Sequence, residues 1–296
     1  MAFYHDQVRL LKELRASLEL PVTGGEYFNE AMAWVATYFP LTSVFLLNKS
    51  LALMASDEIT DDSVRGYYHT RSHVISILGS LMALDKHLAI SDTCIARRSM
   101  QCLIVTTLFH DANHTLGAFQ DRYNIALAKA TVMPSYADEI ELYLPAFMDD
   151  APLSLRQDFV YDLDITNLAD SKSFICTVLD TIEASEYPHQ SHIRGSHDMA
   201  WLFRDLDVVS GMASGNWWSL IYEGLYMEII GQQPVDNVMS LEQFVAQQVD
   251  FVDYQLYSPV TREWLDSVPE GKQVSIATSV KNNALYVVES LLELTK

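Results

Sequence analysis

Two short stretches of the chain carry side chains that could do chemistry. The first is Tyr68-His69-Thr70-Arg71-Ser72-His73. Its two histidines stand four residues apart, so on a helix they project from one face. A pair at this spacing can serve as metal ligands or as an acid–base pair, but taken alone it is more often a pair of ordinary core or surface residues. The second is Phe109-His110-Asp111-Ala112-Asn113-His114, followed by Gly117. Adjacent residues on an ideal helix point about 100° apart, but at a helix end the backbone can bend and bring His110 and Asp111 to one point. An imidazole and a carboxylate together suit Mn, Fe, Co, Ni or Zn better than Ca. Alternatively, the cluster caps the free carbonyls of a helix C-terminus.

The elements that must position these groups read as helices. From His73 to Leu88 the apolar residues Val74, Ile77, Leu78, Leu81, Leu84 and Leu88 recur at three and four residues. Ile95 to Phe109 is apolar nearly all round beyond Arg98, which predicts a helix in the middle of a bundle, despite Thr106 and Thr107. Periodicity continues over Lys172–Ala184, Asn216–Ile230, Leu241–Val252 and Val280–Leu294. Pro134, Pro145 and Pro152 punctuate a looser stretch, and Tyr187–Gly195 reads as a loop. The one clear strand signal is Gln273–Ser279. The expected fold class is all-α.

The motifs resemble those of the HD superfamily of metal-dependent phosphohydrolases, whose signature is H…HD…D. Here His73, His110 and Asp111 match it. The fuller pattern, Tyr68-His69-x-x-x-His73 and His110-Asp111-x-x-His114-x-x-Gly117, is similar to the class I cyclic-nucleotide phosphodiesterases, with YHNxxH and HDxxHxG. Thr70 stands in place of their Asn, Gly117 is one position late, and their purine-clamping glutamine region is not evident. The last Asp is better matched by Asp207, in Asp205-Leu206-Asp207…Gly211, which is similar to the DADL…G element of small bacterial phosphohydrolases of the superfamily. Asp180 is the alternative. Asp121-Arg122-Tyr123-Asn124 partly echoes the D-N-E stretch of that second group.

The resemblance implies an HD-domain helical bundle over about 61–232, an N-terminal helical segment over 1–60 and a C-terminal helical extension over 233–296. It implies that His73, His110, Asp111 and Asp207 hold one divalent transition metal (Mn, Fe, Co, Ni or Zn). Asp111 would reach toward a second ion, Mg or Mn. His69 becomes the general acid, and His114 orients or shares a proton with the attacking hydroxide. Arg71, His189 and Asn124 become substrate-binding residues, with His192, Arg194 and Arg204 as further candidates and Trp217, Trp218 and Tyr222 as a surface for a base. The implied reaction is hydrolysis of a phosphoester or phosphoanhydride in a nucleotide. Two other readings share these residues: an inactive HD protein that binds a nucleotide or partner, and an HD-like diiron oxygenase.

Composition narrows the partners. The formal charge of the 296 residues is -20, which repels nucleic-acid backbones and anionic membranes but not a small anion bound through metal. Cys94, Cys102 and Cys176 are widely spaced without a C-x-x-C pair, as expected of reduced thiols in a cytoplasmic protein. The charged N-terminus lacks a signal-peptide pattern, and no stretch reads as about 20 uninterrupted apolar residues. The C-terminal helices would serve as a lid or as a homo-oligomer face.

Overall fold

The computed structural model describes residues 2–18, 26–54, 68–90, 93–114, 121–186, 198–232, 239–254, 256 and 258–294. It is all-α apart from one small hairpin. The helices are α1 (Ala2–Ser17), α2 (Glu26–Tyr38), α3 (Ser43–Leu53), α4 (Arg71–Ile90), α5 (Arg97–Phe109), α6 (Asp121–Val132), α7 (Leu153–Asp162), α8 (Leu168–Glu183), α9 (Asp198–Ala213), α10 (Met227–Gln232), α11 (Leu241–Tyr254), α12 (Pro259–Asp266) and α13 (Ile276–Leu294). A π-helical segment, Trp218–Tyr226, runs directly into α10.

Two apolar helices, α4 and α5, stand at the centre. Every residue of α5 from Met100 to Phe109 is buried, as an all-round apolar pattern demands. It packs against α3, α4, α8 and α9, while α4 packs against α2, α5 and α9. By length and composition α4 could cross a membrane, but more than half of that stretch is buried in this core. Buried apolar residues form one cluster, from Leu11 in α1 through the bundle to Leu291 in α13. The N-terminal helix packs on α13, which also packs on α11, α12 and α9.

Three details differ from the sequence reading. The hairpin lies in the proline-punctuated stretch, with β1 (Pro134–Ala137) antiparallel to β2 (Leu142–Pro145). Pro134 and Pro145 pair at its outer end, where a missing N–H costs least. By contrast, Gln273–Ser279 is not a strand. Ser275 Oγ accepts the Thr278 N–H at 3.2 Å and starts α13 at Ile276, because an N-cap followed by a long amphipathic run outweighs a short β-branched stretch. The Asn216–Ile230 helix is π-helical at its centre. Trp217, Trp218, Tyr222 and Tyr226 crowd this segment, Trp218 stacking on Tyr222 at 4.9 Å, and the wider turn gives their rings room.

Candidate metal centre and the adjacent histidine pair

The first turn of α4 supplies His73, with a fully buried side chain. His110 caps the end of α5, and a tight turn follows, in which the Ala112 N–H donates to the Phe109 carbonyl at 3.1 Å. Asn113 then takes a left-handed conformation (φ 61°), which Asn tolerates better than most residues, and its N–H donates to the Leu53 carbonyl at 2.9 Å. This bend lets consecutive residues face one point: His110 Nε2 is 3.1 Å from Asp111 Oδ2.

Asp207, from α9, completes the group. Its Oδ1 is 2.9 Å from His73 Nε2 and 3.5 Å from His110 Nε2, and Asp111 Oδ2 is 3.7 Å from His73 Nε2. Ligands held about 2.1 Å from one ion lie roughly 3.0–3.5 Å from one another, so His73, His110 and Asp111 could share a single cation, with Asp207 lying beside both histidines. Asp180, the alternative fourth ligand, is exposed on α8.

Hydrogen bonding gives the same fit from the donor side. His110 Nδ1 donates to the Thr107 carbonyl at 2.9 Å, which leaves Nε2 to present a lone pair or a second proton. That Nε2 faces two carboxylates, and neither it nor Asp111 Oδ2 has a hydrogen-bond partner, although both are buried. A lone pair held against carboxylates is repulsive, so the arrangement calls for a proton or a metal cation. Without a metal, burial works against charge on His110, but Asp111 and Asp207 outweigh it and hold its pKa well above the usual range. Burial likewise opposes charge on Asp111, but His110 and then His69 hold its carboxyl well below the usual range. His73 Nδ1 is also buried without a partner, and the ring lies against Tyr68 at 4.2 Å.

A second group lies beside the first. His69 Nδ1 is 2.9 Å from Glu228 Oε1, and Glu228 Oε2 accepts the Tyr68 N–H at 2.9 Å. His69 and His114 stack ring on ring at 4.0 Å and 14°. Asn124 Nδ2 lies 2.9 Å from His114 Nε2. An N–H donated by Asn124 leaves that nitrogen without a proton, so the ring is neutral with its proton on Nδ1. His69, His114 and Glu228 are near enough to suggest a second ion. But an ion cannot lie in the planes of two parallel, stacked rings at once, and His114 Nε2 and both Glu228 oxygens already have partners.

Its electrostatics separate the two histidines. For His69, burial favours the neutral ring, but Glu228 and then Asp111 reverse this and raise its pKa to about 9. Burial, and then the charge of His69, push His114 down to about 4. Glu228 is lowered: burial opposes its charge, and His69 more than compensates.

Glu228 was not among the residues the sequence singled out. Its signal was one acidic residue in the apolar run Gly224-Leu225-Tyr226-Met227-Glu228-Ile229-Ile230, where an unpartnered carboxylate would be costly. Asn124 is 2% exposed and its amide lies against the His114 imidazole. Arg71 is exposed, its Nε donating to the Leu51 carbonyl. Arg204 is 2% exposed, its guanidinium 5.9 Å from the Trp201 ring centre. Trp218 and Tyr222 are buried, Tyr222 against Phe244, so neither offers an open face to a base. Gly117, His189, His192 and Arg194 lie outside the described residues.

Compared with models of protein families the chain matches none, and no curated protein matches it.

Proposed function

We propose that the chain hydrolyses a phosphoester or phosphoanhydride bond in a small nucleotide, with a divalent ion held by His73, His110, Asp111 and Asp207. The observation that carries this reading is the gathering of those four side chains beside the stacked pair His69 and His114. A bound divalent ion supplies an acidified water and neutralises charge on the phosphoryl oxygens.

The remaining work falls to the protein's own groups. Glu228 accepts the Nδ1–H of His69, so Nε2 carries the transferable proton, and the Glu228 carboxylate raises the pKa of that proton. That suits a general acid for the leaving oxygen. His114, near 4, stays neutral and serves as the acceptor that orients the attacking water. Two neighbouring groups with pKa values pushed apart are the pattern expected of an acid–base pair. The net charge of -20 favours a small substrate that meets a cation over a long nucleic acid, and such nucleotides are abundant in a cytoplasm.

The test is a metal analysis and a substrate screen on purified protein. Cyclic nucleotides, nucleoside triphosphates and monophosphates are each offered with Mn, Mg, Co or Ni. The expected result is metal-dependent release of phosphate or nucleotide that falls at least 1000-fold in Asp111→Ala. Protein that holds one ion per chain and turns over none of these would sink the hydrolase reading.

A further inference from the structure

One turn after Asp207, on the same side of α9, stands Gly211. A Cβ built there would meet Ile221 Cδ1 at 3.0 Å, the Tyr68 hydroxyl oxygen at 3.1 Å and Tyr68 Cε2 at 3.2 Å. Those contacts are tighter than side chains ordinarily tolerate, and neither neighbour can swing into solvent: Ile221 is 2% exposed and Tyr68 7%. The absent side chain therefore lets three elements meet. One is α9, with Asp207. Another is the stretch entering α4, with Tyr68, His69 and His73. The third is the π-helical segment that leads to Glu228.

Tyr68 transmits any change at this point. Its ring rests on His73 at 4.2 Å and meets the His69 ring edge-on at 5.2 Å. Its hydroxyl donates to the Asp207 carbonyl at 3.3 Å. A shift of a few tenths of an ångström in Tyr68 is thus felt by two of the four candidate ligands. Side chains packed at crystal-like density transmit such shifts rather than absorb them.

We propose that Gly211 is a positioning residue of the metal centre: its lack of a side chain seats Tyr68 against His73 and sets the geometry of His73 toward Asp207. The proposal rests on the reading of these residues as metal ligands. A glycine that only spares space in the core would lower stability on substitution but leave the His73 signals and the ion affinity of the folded protein unchanged.

The experiment compares wild type, Gly211→Ala, Ile221→Val and the double variant Gly211→Ala/Ile221→Val. Two readouts are taken: calorimetric affinity for Mn and Co, and the histidine ring signals of ion-free protein by NMR. His73 lies under the Tyr68 ring, so its signals report the seating directly. The expected result is at least tenfold weaker ion binding and displaced His73 signals in Gly211→Ala. Loss of Cδ1 in the double variant gives α9 room to move, and restores affinity to within threefold of wild type. Ile221→Val alone stays within threefold. Wild-type affinity and wild-type His73 signals in Gly211→Ala would overturn the proposal, as would a double variant that recovers neither. If Gly211→Ala alone does not fold, recovery of folding and ion binding in the double variant supports the proposal, and failure of both overturns it. A wild-type chain that binds no ion would overturn the metal reading instead. The His73 signals would then still decide whether Gly211 seats Tyr68.

Discussion

The rings of His69 and His114 touch, and each depends on a different partner for its protonation state. Glu228 holds the proton on His69 and Asn124 keeps it off one nitrogen of His114. Glu228→Gln removes the charge and leaves the shape. On the proposed reaction, the basic limb of the pH–rate profile of kcat reports loss of the His69 proton, and it is expected to move down toward the ordinary histidine range of about 6.5, because Glu228 is the group that most raises His69. The affinity for the ion should change less than threefold, because Glu228 is not among the four candidate ligands. An unmoved limb would remove His69 from the role of acid. Stability follows the same linkage with a definite sign. The raised His69 pKa contributes stability that is complete below its unfolded value of about 6.5 and is lost as pH rises through about 9. The lowered Glu228 pKa contributes stability that is present above its unfolded value of about 4.3 and is lost as pH falls. The stability difference between wild type and Glu228→Gln, measured by urea unfolding, should therefore be greatest between about pH 5 and 6 and shrink on both sides.

Among the elements, the start of α3 depends on a distant carboxylate. Asp162, at the end of α7, accepts the Leu41 N–H, the Thr42 N–H and the Thr42 hydroxyl, the last two at 2.9 and 2.7 Å. These donors lie at the N-terminus of a helix whose own Thr42 makes no cap, so Asp162 does that work from outside. Asp162→Ala leaves the buried Thr42 N–H and hydroxyl without an acceptor and should cost about 2 kcal/mol by urea unfolding. A change under about 0.5 kcal/mol would show that water replaces the carboxylate. The π-helical segment is positioned in a comparable way. Tyr226 OH donates to Gln7 Oε1 at 2.9 Å, the Leu241 N–H reaches the same oxygen, and Arg15 pairs with Glu223. The helix start that carries Glu228 is thus held by the far N-terminus of the chain.

Across the whole molecule, α1 and α13 close on each other although they stand at opposite ends of the sequence. Leu14 of α1 is fully buried in the common cluster. Leu14→Ala should cost about 3 kcal/mol, the usual range for a buried leucine, and lower Tm without changing ion affinity below the transition. An unchanged Tm would mean that α1 is not part of the cooperative unit. The core therefore spans the three sequence segments, and the ends of the chain stabilise the middle that carries the site.

How much the sequence determined by itself follows from what acts locally. Helical periodicity determined α4, α5, α8, α11 and α13, because burial of a stripe at three and four residues is a property of the segment. The spacing of His69 and His73, and the adjacency of His110 and Asp111, placed candidate ligands at the start of one helix and the end of another. Only the tertiary structure set Asp207 beside His73 and His110 and left Asp180 exposed, since each sits on a plausible helix. It alone brought in Glu228, 159 residues from His69, and set the Asn124 amide against His114. It also showed why position 211 has no side chain. These are contacts between segments distant along the chain, and they depend on how helices cross and rotate. No local pattern encodes that, because the free energy that selects it comes from packing the whole core at once.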